Sequence, residues 1–513
     1  MKQATNPMIW ADVPDPDIIR VGEYYYMVST TMHLSPGVPV MRSKDLADWE
    51  IISYVYDILE ENDAYHLAGG KHVYGKGSWA ASLRYYEGCF YVCFASLDRK
   101  RTYIYHTEEI EKGPWIRSVL EGVYHDPSLF FEEDGRVYLI HGNGEIRITE
   151  LTQDASSLKQ GGTDQILIDM VRSTNLLNSE GSHFYKIKGT YYLFVIEWPK
   201  IGTRRRIQWC YRSETLLGDY EGRVVLNDHF YYGNHGVAQG GIVETPMGDW
   251  YGFLFQDHDA VGRIPILLPV TWQEGWPMMG LEGRVPAEIA IRTVDRPSTS
   301  IVTEDEFEYE DNVLKLPWQW NHNPDPVLWS LTARPGFLRL TTGSIVPNLL
   351  FARNTLSQRT LGPMFTCDTL LDTGGMKPGD YAGIAAFQSG YGMLGVRVGE
   401  DGSKQLILAS NDGSGNPAIE EELPLQREQV ALKIKFHFNS GPIQKLILTD
   451  TAYFYYSYDG RQWTELDYKL PMRYTLDHFM GYRAALFCYA TRQTGGYADF
   501  DYYHMKQHLD LPD

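Results

Sequence analysis

A short hairpin phrase recurs five times in the first half of this 513-residue sequence. Each copy is a turn glycine followed by an aromatic-rich apolar run, and successive copies are 47 to 66 residues apart. The glycines are Gly22, Gly88, Gly135, Gly189 and Gly248. A hairpin repeated at such intervals is typical of a radial all-β array. The sequence therefore predicts an all-β fold that begins with a five-bladed β-propeller over residues 1–296.

A chemically distinctive residue precedes each of these glycines at nearly constant distance. Counting back nine residues from the last four glycines reaches Trp79, Asp126, Glu180 and Gln239, and counting back seven from the first reaches Asp15. The first strand of every propeller blade lines the central axis, so equivalent positions converge on one pocket. An Asp-Pro pair taken singly is ordinary turn chemistry, but the common offset favours a shared pocket for the three carboxylates.

The second half of the sequence has a different pattern of strands and turns. From residue 301 onward, short strands alternate with turns at a spacing of about 8 to 12 residues, which predicts a β-sandwich of the jelly-roll, concanavalin-like type over residues 301–513. Residues 296–300 lack an apolar pattern and mark the domain boundary. Residues 318–326, WQWNHNPDP, are either a sugar contact or a loop folded against the sandwich.

Composition limits the partners and the location. The net charge of −20 argues against nucleic acid and against an anionic membrane, because both are bound through clustered lysine and arginine. The one basic run, residues 204–206, is explained by a solvated strand edge. Five cysteines without a CxxC pair predict neither a disulfide framework nor a zinc site. The sequence opens without a signal peptide and has no apolar stretch of about 20 residues, so we expect a cytoplasmic protein.

Five phrases carry a resemblance to a known family: PDPDIIRVGEYYYMVSTT, SWAASLRYYEGCFYV, HDPSLFFEEDGRVYLIHG, SEGSHFYKIKGTYYLF and QGGIVETPMGDWYGFLF. They resemble glycoside hydrolase family 43. The second half, with WQWNHNP, RPGFLRL, ARNTLSQRT and GGYADFDYYH, is similar to the β-sandwich of the β-xylosidase and α-L-arabinofuranosidase members. The resemblance covers essentially the whole chain.

The resemblance implies an exo-acting, inverting hydrolase. Asp15 takes the position of the general base, Glu180 that of the general acid, and Asp126 that of the acid that tunes the pKa of Glu180 and orients it. Arg263 takes the position of a sugar-binding arginine, and Trp79 that of a wall tryptophan. Inversion requires the two catalytic carboxyl groups to stand roughly 6.5 to 9.5 Å apart, which leaves room for a water molecule.

Two departures from the family pattern concern the substrate pocket. Many relatives carry histidine at the position of Gln239, where it touches a cation or a water on the propeller axis. Glutamine makes an axial Ca²⁺ less secure, although it remains an oxygen donor. The first-blade loop reads TTMHLSPG where xylosidase relatives commonly have aromatic residues, so Met32 and His33 are expected to line the pocket. His33 is equally explained as a loop histidine whose hydrogen bonds are satisfied.

The resemblance also places a structural Ca²⁺ in the sandwich. Asp305 and Asp501, with the neighbouring Asp499, match positions where such domains often hold this ion. Alternating acids on a terminal strand are equally well explained as a solvated face. No cofactor is expected to take part in the chemistry.

The leading functional hypothesis is release of β-D-xylose or α-L-arabinofuranose from the non-reducing ends of xylo- and arabinoxylo-oligosaccharides, with a sandwich loop that closes one side of the pocket. A fructan-cleaving, retaining enzyme is a second hypothesis, although its usual Asn-Asp-Pro phrase is absent from VPDPDI. A carbohydrate-binding propeller without catalysis is a third. The resemblance also allows a homo-oligomer.

Overall fold

Five antiparallel sheets of four strands form the blades of a propeller in the computed structural model, which describes residues 2–291, 301–439 and 449–509. The strands of this half are, in chain order, β1 (Lys2–Thr5), β2 (Asp17–Val21), β3 (Tyr24–Val28), β4 (Leu34–Ser35), β5 (Gly37–Ser43), β6 (Glu50–Tyr56), β7 (Ser78–Tyr86), β8 (Cys89–Ser96), β9 (Arg101–Thr107), β10 (Ile116–Glu121), β11 (Ser128–Phe131), β12 (Val137–Asn143), β13 (Glu145–Leu151), β14 (Asp164–Asp169), β15 (Asn175–Ile187), β16 (Thr190–Pro199), β17 (Ile207–Ser213), β18 (Glu221–Leu226), β19 (Ala238–Glu244), β20 (Trp250–Asp257), β21 (Arg263–Gln273), β22 (Trp276–Met279) and β23 (Glu288–Ile291). Short 3-10 helices lie at Ala68–Gly70 and Asp259–Val261.

Each blade is built from strands that are consecutive along the chain, apart from the short strand β4. Their sheet orders are β2-β3-β5-β6, β7-β8-β9-β10, β11-β12-β13-β14, β15-β16-β17-β18 and β19-β20-β21-β22, while β1 pairs with β23. The first strand of each blade contacts the first strand of the next, and β19 contacts β2, so these strands form a closed ring. A closed ring protects the innermost strands from edge pairing. The predicted propeller is confirmed.

The repeated glycines all occupy one structural position. Each lies in the turn between the first and second strands of its blade, and each has a positive φ, between 61° and 89°. Glycine reaches this left-handed region without the steric cost that a Cβ atom would add. The repeat in the sequence is therefore the repeat of one hairpin in the structure.

The second half is a sandwich of two antiparallel sheets, as predicted. Its strands are β24 (Gln319–Asn321), β25 (Trp329–Ser330), β26 (Leu338–Thr341), β27 (Leu356–Arg359), β28 (Met364–Asp372), β29 (Asp380–Phe387), β30 (Tyr391–Val398), β31 (Lys404–Asn411), β32 (Ala418–Pro424), β33 (Gln429–His437), β34 (Thr451–Ser457), β35 (Thr464–Glu465), β36 (Leu470–Pro471), β37 (Arg483–Ala490), β38 (Tyr497–Phe500) and β39 (His504–His508), with a 3-10 helix at Leu349–Phe351. One sheet has the order β32-β31-β30-β29-β37-β27-β24-β4. The other runs β25-β26-β38-β28-β33-β34-β35, with β36 on β34 and β39 on β28.

The two halves share a sheet and a core. Strand β4 comes from the first-blade loop, yet it pairs with β24 of the sandwich, with Leu34 opposite Asn321 and Ser35 opposite Trp320. One apolar cluster contains both propeller residues such as Phe253 and sandwich residues such as Phe365. The domains are therefore docked through main-chain pairing and buried apolar surface. The predicted boundary at residues 296–300 lies outside the described residues.

Residues 318–326 belong to this junction. Trp318 is 2% exposed and Trp320 is 5% exposed, and the Trp318 indole N–H donates to Asp305 at 2.8 Å. Of the two interpretations of WQWNHNPDP, these buried tryptophans match the loop folded against the sandwich.

All five cysteines are free thiols. Across the described part of the chain, helices long and apolar enough to cross a membrane are absent.

Three histidines meet at the domain junction around Tyr74. The His478 ring stacks on Tyr74 at 4.0 Å, and the His33 and His322 rings lie 4.5 and 4.6 Å from it. Among the described residues, neither ring nitrogen of His33 has a hydrogen-bond partner. Burial lowers the pKa of His478 to about 3, and it holds the pKa values of His33 and His322 well below their usual range.

We predict that this cluster makes stability depend on pH. A histidine that stays neutral when folded but titrates near 6.5 when unfolded stabilises the fold above that pH, and the stabilisation is lost as the pH falls, at about 1.4 kcal/mol per pH unit. His478→Phe should therefore reduce the slope of the unfolding free energy between pH 6 and pH 5 by about that amount. Urea unfolding at several pH values measures it. Phe387→Leu, beside His478, should lower stability equally at every pH; an unchanged slope in His478→Phe would contradict the prediction.

Candidate active site

The five residues marked by the repeat lie just before the first strand of each blade or within it. Asp15 and Asp126 stand two residues before β2 and β11, with φ of 50° and 44°. Trp79, Glu180 and Gln239 lie where the pairing of β7, β15 and β19 is irregular. Bulges and left-handed residues redirect a side chain away from the ordinary alternation of a strand. An irregular backbone therefore occurs at the equivalent position in all five blades.

Asp15 is held by two donors. It is 5% exposed, and the Arg263 guanidinium donates from Nη1 to Oδ1 at 2.8 Å, while the Thr30 hydroxyl donates to Oδ2 at 2.6 Å. Arg263 is itself 4% exposed. A buried carboxylate needs this pairing, because an isolated charge is costly in the interior. The arrangement fixes the orientation of the Asp15 carboxylate.

Asp126 is a proton-holding acid. Burial raises its pKa to about 7; His125 opposes the rise, and the charges of Glu180 and Asp15 add to it. The Gly181 amide donates to Asp126 Oδ2 at 3.0 Å, which ties this acid to the residue after Glu180. Three carboxyl groups on three blades are thus brought together, and one of them, Asp126, is protonated in about half of the molecules near pH 7.

Glu180 receives two hydrogen bonds on the same oxygen. His125 donates from Nε2 to Oε2 at 3.0 Å, and Asn143 donates from Nδ2 to that atom at 2.5 Å. Burial lowers the pKa of His125, but Asp126 and the hydrogen bond to Glu180 outweigh burial and raise it to about 9. His125 is therefore an imidazolium near neutral pH, and both donors bind Oε2 of Glu180 rather than Oε1.

The sandwich contributes one wall of this site. Phe479 stacks on Trp79 with ring centroids 5.6 Å apart and planes 13° from parallel. The Arg263 guanidinium carbon lies 4.6 Å from the centre of the Phe479 ring, and Nη2 donates to the Phe479 carbonyl at 3.4 Å. The edge of His125 meets the Trp79 ring at 5.8 Å. A sandwich residue therefore contacts both the predicted wall tryptophan and the predicted sugar-binding arginine.

Arg206 does not occupy the solvated strand edge expected for the basic run. Its guanidinium carbon lies 5.2 Å from the Trp198 ring and 5.5 Å from the Phe255 ring, and it forms an ion pair with Asp257. Burial lowers the pKa of Arg206 to about 10, with repulsion from Arg263 as the next cause. The Phe255 ring contacts both arginines, because the Arg263 guanidinium carbon also lies 5.4 Å from its centre. Arg206 is thus part of the charged wall of the site.

The remaining predicted pocket residues are buried. Gln239 is 5% exposed; its main-chain N–H donates to Gln208 at 2.7 Å, and its side chain packs against Gly181. Met32 is 2% exposed, and its main chain pairs with Ser78. The ring contacts of His33 are with Tyr74, His322 and His478 of the junction.

The axis residues do not fit a Ca²⁺ site. Arg84 reaches across the ring, donating to Asp17 and Ser128 at 2.7 Å each, and His183 bonds the other Asp17 oxygen at 3.0 Å. Arg84 and His183 lower the pKa of Asp17 to about 2 against the desolvation that would raise it. A guanidinium already neutralises the carboxylate that a hard cation would need.

The acidic residues of the sandwich do not fit a Ca²⁺ site either. Asp305 accepts from Tyr309 at 2.5 Å and from Trp318, and the Lys315 ammonium lies 3.2 Å from its other oxygen. Asp499 is paired with Arg339 and Arg334. Asp501 is half-buried. Within the described ranges, three side-chain ligand atoms of His, Cys, Asp or Glu come within 4.8 Å of one another at His125, Asp126 and Glu180, and not at these acids.

The sequence matches two family models that together span most of it. Residues 4–277 match the model described as "Glycosyl hydrolases family 43". The chain belongs to glycosyl hydrolase family 43. Residues 304–506 match the "Beta xylosidase C-terminal Concanavalin A-like domain". The predicted resemblance is confirmed, and the protein is a glycosidase.

Relatives in this family have pentosidase names. A protein named "Beta-xylosidase" from Formosa agariphila is 30% identical over 555 residues, covering 97% of this chain and 89% of its own. A "Non-reducing end alpha-L-arabinofuranosidase" from Bacteroides ovatus is 31% identical over 360 residues, covering 66% of this chain and 65% of its own. The solved structure titled "Bifunctional GH43-CE Bacteroides eggerthii" is 45% identical with a TM-score of 0.92, covering 99% of this chain. This chain spans 64% of that longer one.

Sequence reasoning missed several residues of this site. His125 and Asn143 touch the predicted acid, and Thr30 touches the predicted base. The one available signal was the position of His125 directly before Asp126. Phe479 gave no signal, because it lies in the other domain and its contact with Trp79 depends on docking.

We predict that the charge of His125 sets the basic limb of the activity profile. Turnover needs a protonated acid, so the basic limb reports loss of that proton. Without the imidazolium the neighbouring acids hold their proton more tightly, and His125→Gln should move the limb to higher pH by about one unit. The pH dependence of kcat/KM measures this. Asn143→Ala removes a neutral donor to the same oxygen and should move the limb less; a shift of His125→Gln to lower pH would contradict the prediction.

Proposed function

We propose that this family 43 enzyme is an exo-acting, inverting hydrolase that releases β-D-xylose or α-L-arabinofuranose from the non-reducing ends of xylo- and arabinoxylo-oligosaccharides. The observation that carries the proposal is the division of partners between two acids. Asp15 is paired with a guanidinium, whereas Glu180 accepts its hydrogen bonds on one oxygen only. The names of the xylosidase and arabinofuranosidase relatives support the choice of sugar.

The two acids then have complementary roles. Glu180 gives its proton from Oε1 to the glycosidic oxygen as the bond from that oxygen to the anomeric carbon breaks. Asp15 takes a proton from a water molecule, whose oxygen attacks the opposite face of the same carbon. The proton gained by Asp15 and the proton lost by Glu180 balance, and both return through solvent between turnovers. This is the inverting mechanism, in which the configuration of the anomeric carbon changes.

Asp126 and His125 serve the general acid. Asp126 has its pKa raised to about 7, so near neutral pH it is a protonated neighbour as often as a charged one. Its bond to the Gly181 amide fixes the backbone beside Glu180. His125 and Asn143 hold Oε2, which keeps the carboxyl group turned so that Oε1 faces the leaving oxygen. These contacts orient the proton rather than form bonds to the sugar.

The aromatic wall supports exo action. Trp79 and Phe479 stack on one another across the domain junction, and Phe479 also covers Arg263. A pocket closed on one side by a second domain accepts a chain end and excludes a continuous polymer. Flat aromatic faces suit the C–H faces of a pentose ring. The fructan-type alternative uses a covalent intermediate, for which Asp15, paired with the Arg263 guanidinium, would be the nucleophile.

We predict the following for substrate turnover. Wild type should hydrolyse 4-nitrophenyl β-D-xylopyranoside, 4-nitrophenyl α-L-arabinofuranoside or both. If it hydrolyses the xylopyranoside, it should also hydrolyse xylobiose. Asp15→Ala should lose about 10³-fold in kcat on every substrate. Glu180→Ala should lose that much on xylobiose and much less on the nitrophenyl sugar, because nitrophenolate leaves without a proton. Nitrophenol release and sugar analysis measure these rates.

The matched control is Asp134→Ala, on an exposed turn of blade 3, which should keep wild-type rates. Equal losses for Glu180→Ala on both kinds of substrate would contradict its role as the acid. A folded wild-type protein that turns over neither pentoside, yet binds xylo-oligosaccharides in calorimetry, would favour the carbohydrate-binding alternative.

We also propose that no metal takes part in the chemistry, since Asp15, Glu180, Asp126 and His125 fill the acid and base roles. Dialysis against EDTA should therefore leave kcat/KM within about twofold of its starting value. Assay of the dialysed enzyme with and without added Ca²⁺ measures this. A loss that Ca²⁺ restores would contradict the proposal.

A further inference from the structure

A buried carboxylate outside the catalytic set connects the two domains beside the active site. Asp12 lies three residues before Asp15 and is buried. Its Oδ1 accepts the main-chain N–H of Arg263 at 2.7 Å, and its Oδ2 accepts the main-chain N–H of Gly481 at 2.9 Å. One side chain thus holds the fifth blade of the propeller and a loop of the sandwich.

Each end of this connection carries a wall of the pocket. Arg263 donates to the catalytic Asp15, and Gly481 follows Phe479 by two residues. The main chain reinforces the alignment, because the Val13 N–H donates to the Arg263 carbonyl at 2.9 Å. A shift of the Asp12 carboxylate would therefore move Arg263 and Phe479 relative to one another.

The fit around Asp12 leaves no space for adjustment. A Cβ atom at Gly481 would stand 2.1 Å from the Val261 carbonyl oxygen, and one at Gly262 would stand 2.3 Å from Asp12 Oδ1. The Tyr482 N–H also donates to the Ala260 carbonyl at 2.8 Å. The sandwich loop is thus pressed against the segment 260–263 main chain to main chain, and close packing of this kind transmits small displacements.

We propose that Asp12 is a positioning residue that couples the sandwich loop to Arg263, so that the glycone pocket is complete only when both contacts are made. Asp12 acts through Arg263 and Phe479 and does not touch the sugar. The inference rests on the proposed function for the identity of the sugar, but the coupling itself concerns only the protein. Through this coupling, the sandwich takes part in substrate recognition, and Asp12 of the propeller is the residue that connects it to the pocket.

A double-mutant cycle tests the coupling. Asp12→Asn keeps the volume but turns an N–H₂ group toward one of the two amides, and Gly481→Ala pushes the loop away from Val261. We expect each to lower kcat/KM on the nitrophenyl pentoside by about 10- to 100-fold, as for the loss of a hydrogen bond to a charged acceptor. The inhibition constant of free pentose should rise in parallel.

The double variant should lose about as much as the worse single variant, because both changes break the same connection. Losses that multiply would overturn the proposal. Asp45→Asn is the control, since Asp45 is a buried carboxylate that accepts from the amides of a turn in blade 1. It should leave kcat/KM and the pentose inhibition constant within about twofold of wild type.

Hydrogen exchange provides a readout that needs no substrate. The amides of residues 479–482 should exchange at least about tenfold faster in Asp12→Asn than in wild type or Asp45→Asn. Unchanged exchange there would overturn the proposal even if activity falls. If wild type turns over neither pentoside, the proposed function fails while this measurement still decides the coupling. If Asp12→Asn does not fold, Gly481→Ala must show both the faster exchange and the weaker pentose binding.

Discussion

The ion pair between Arg263 and Asp15 is the interaction on which the rest of this site depends. Asp15 reaches it from the first blade and Arg263 from the fifth, so the pair closes the ring where the chain ends of the propeller meet. The sandwich is held to the same arginine through Phe479, and the propeller segment before Asp15 is held through Asp12. A buried charge pair of this kind is costly unless its geometry is fixed. The docking of two domains supplies that fixed geometry.

The site places charge of both signs around three similar acids. Asp15 faces a guanidinium that stays charged, whereas Asp126 is raised by burial and by its acidic neighbours. His125 places a positive charge beside Glu180 and Asp126, at 3.0 and 3.6 Å from their oxygens. Environments that differ in this way let chemically equivalent carboxyl groups serve as base and acid at one pH. On the propeller axis, the Arg84 guanidinium supplies a positive charge that donates to Asp17 and Ser128.

Much of this could be predicted from the sequence, because the hairpin glycines report directly on local backbone geometry. Gly22 and its four equivalents located the blades, and their constant offset brought Asp15, Asp126 and Glu180 into the same ring. The family resemblance then supplied expected roles. What could not be predicted depends on contacts between separate elements: Phe479 on Trp79, Arg206 beside Phe255, and Asp305 bonded to Trp318. A sequence pattern describes one element at a time, and domain docking is a relation between elements.

The central claim is that Asp15 and Glu180 act on opposite faces of one anomeric carbon with a water molecule between them. Proton NMR of the sugar first released from a β-xyloside, recorded before mutarotation, tests it most directly. The account predicts α-xylose as the initial product, followed by slow appearance of the β-anomer. Initial release of β-xylose would require a covalent intermediate and would contradict the assignment of Asp15 as a general base.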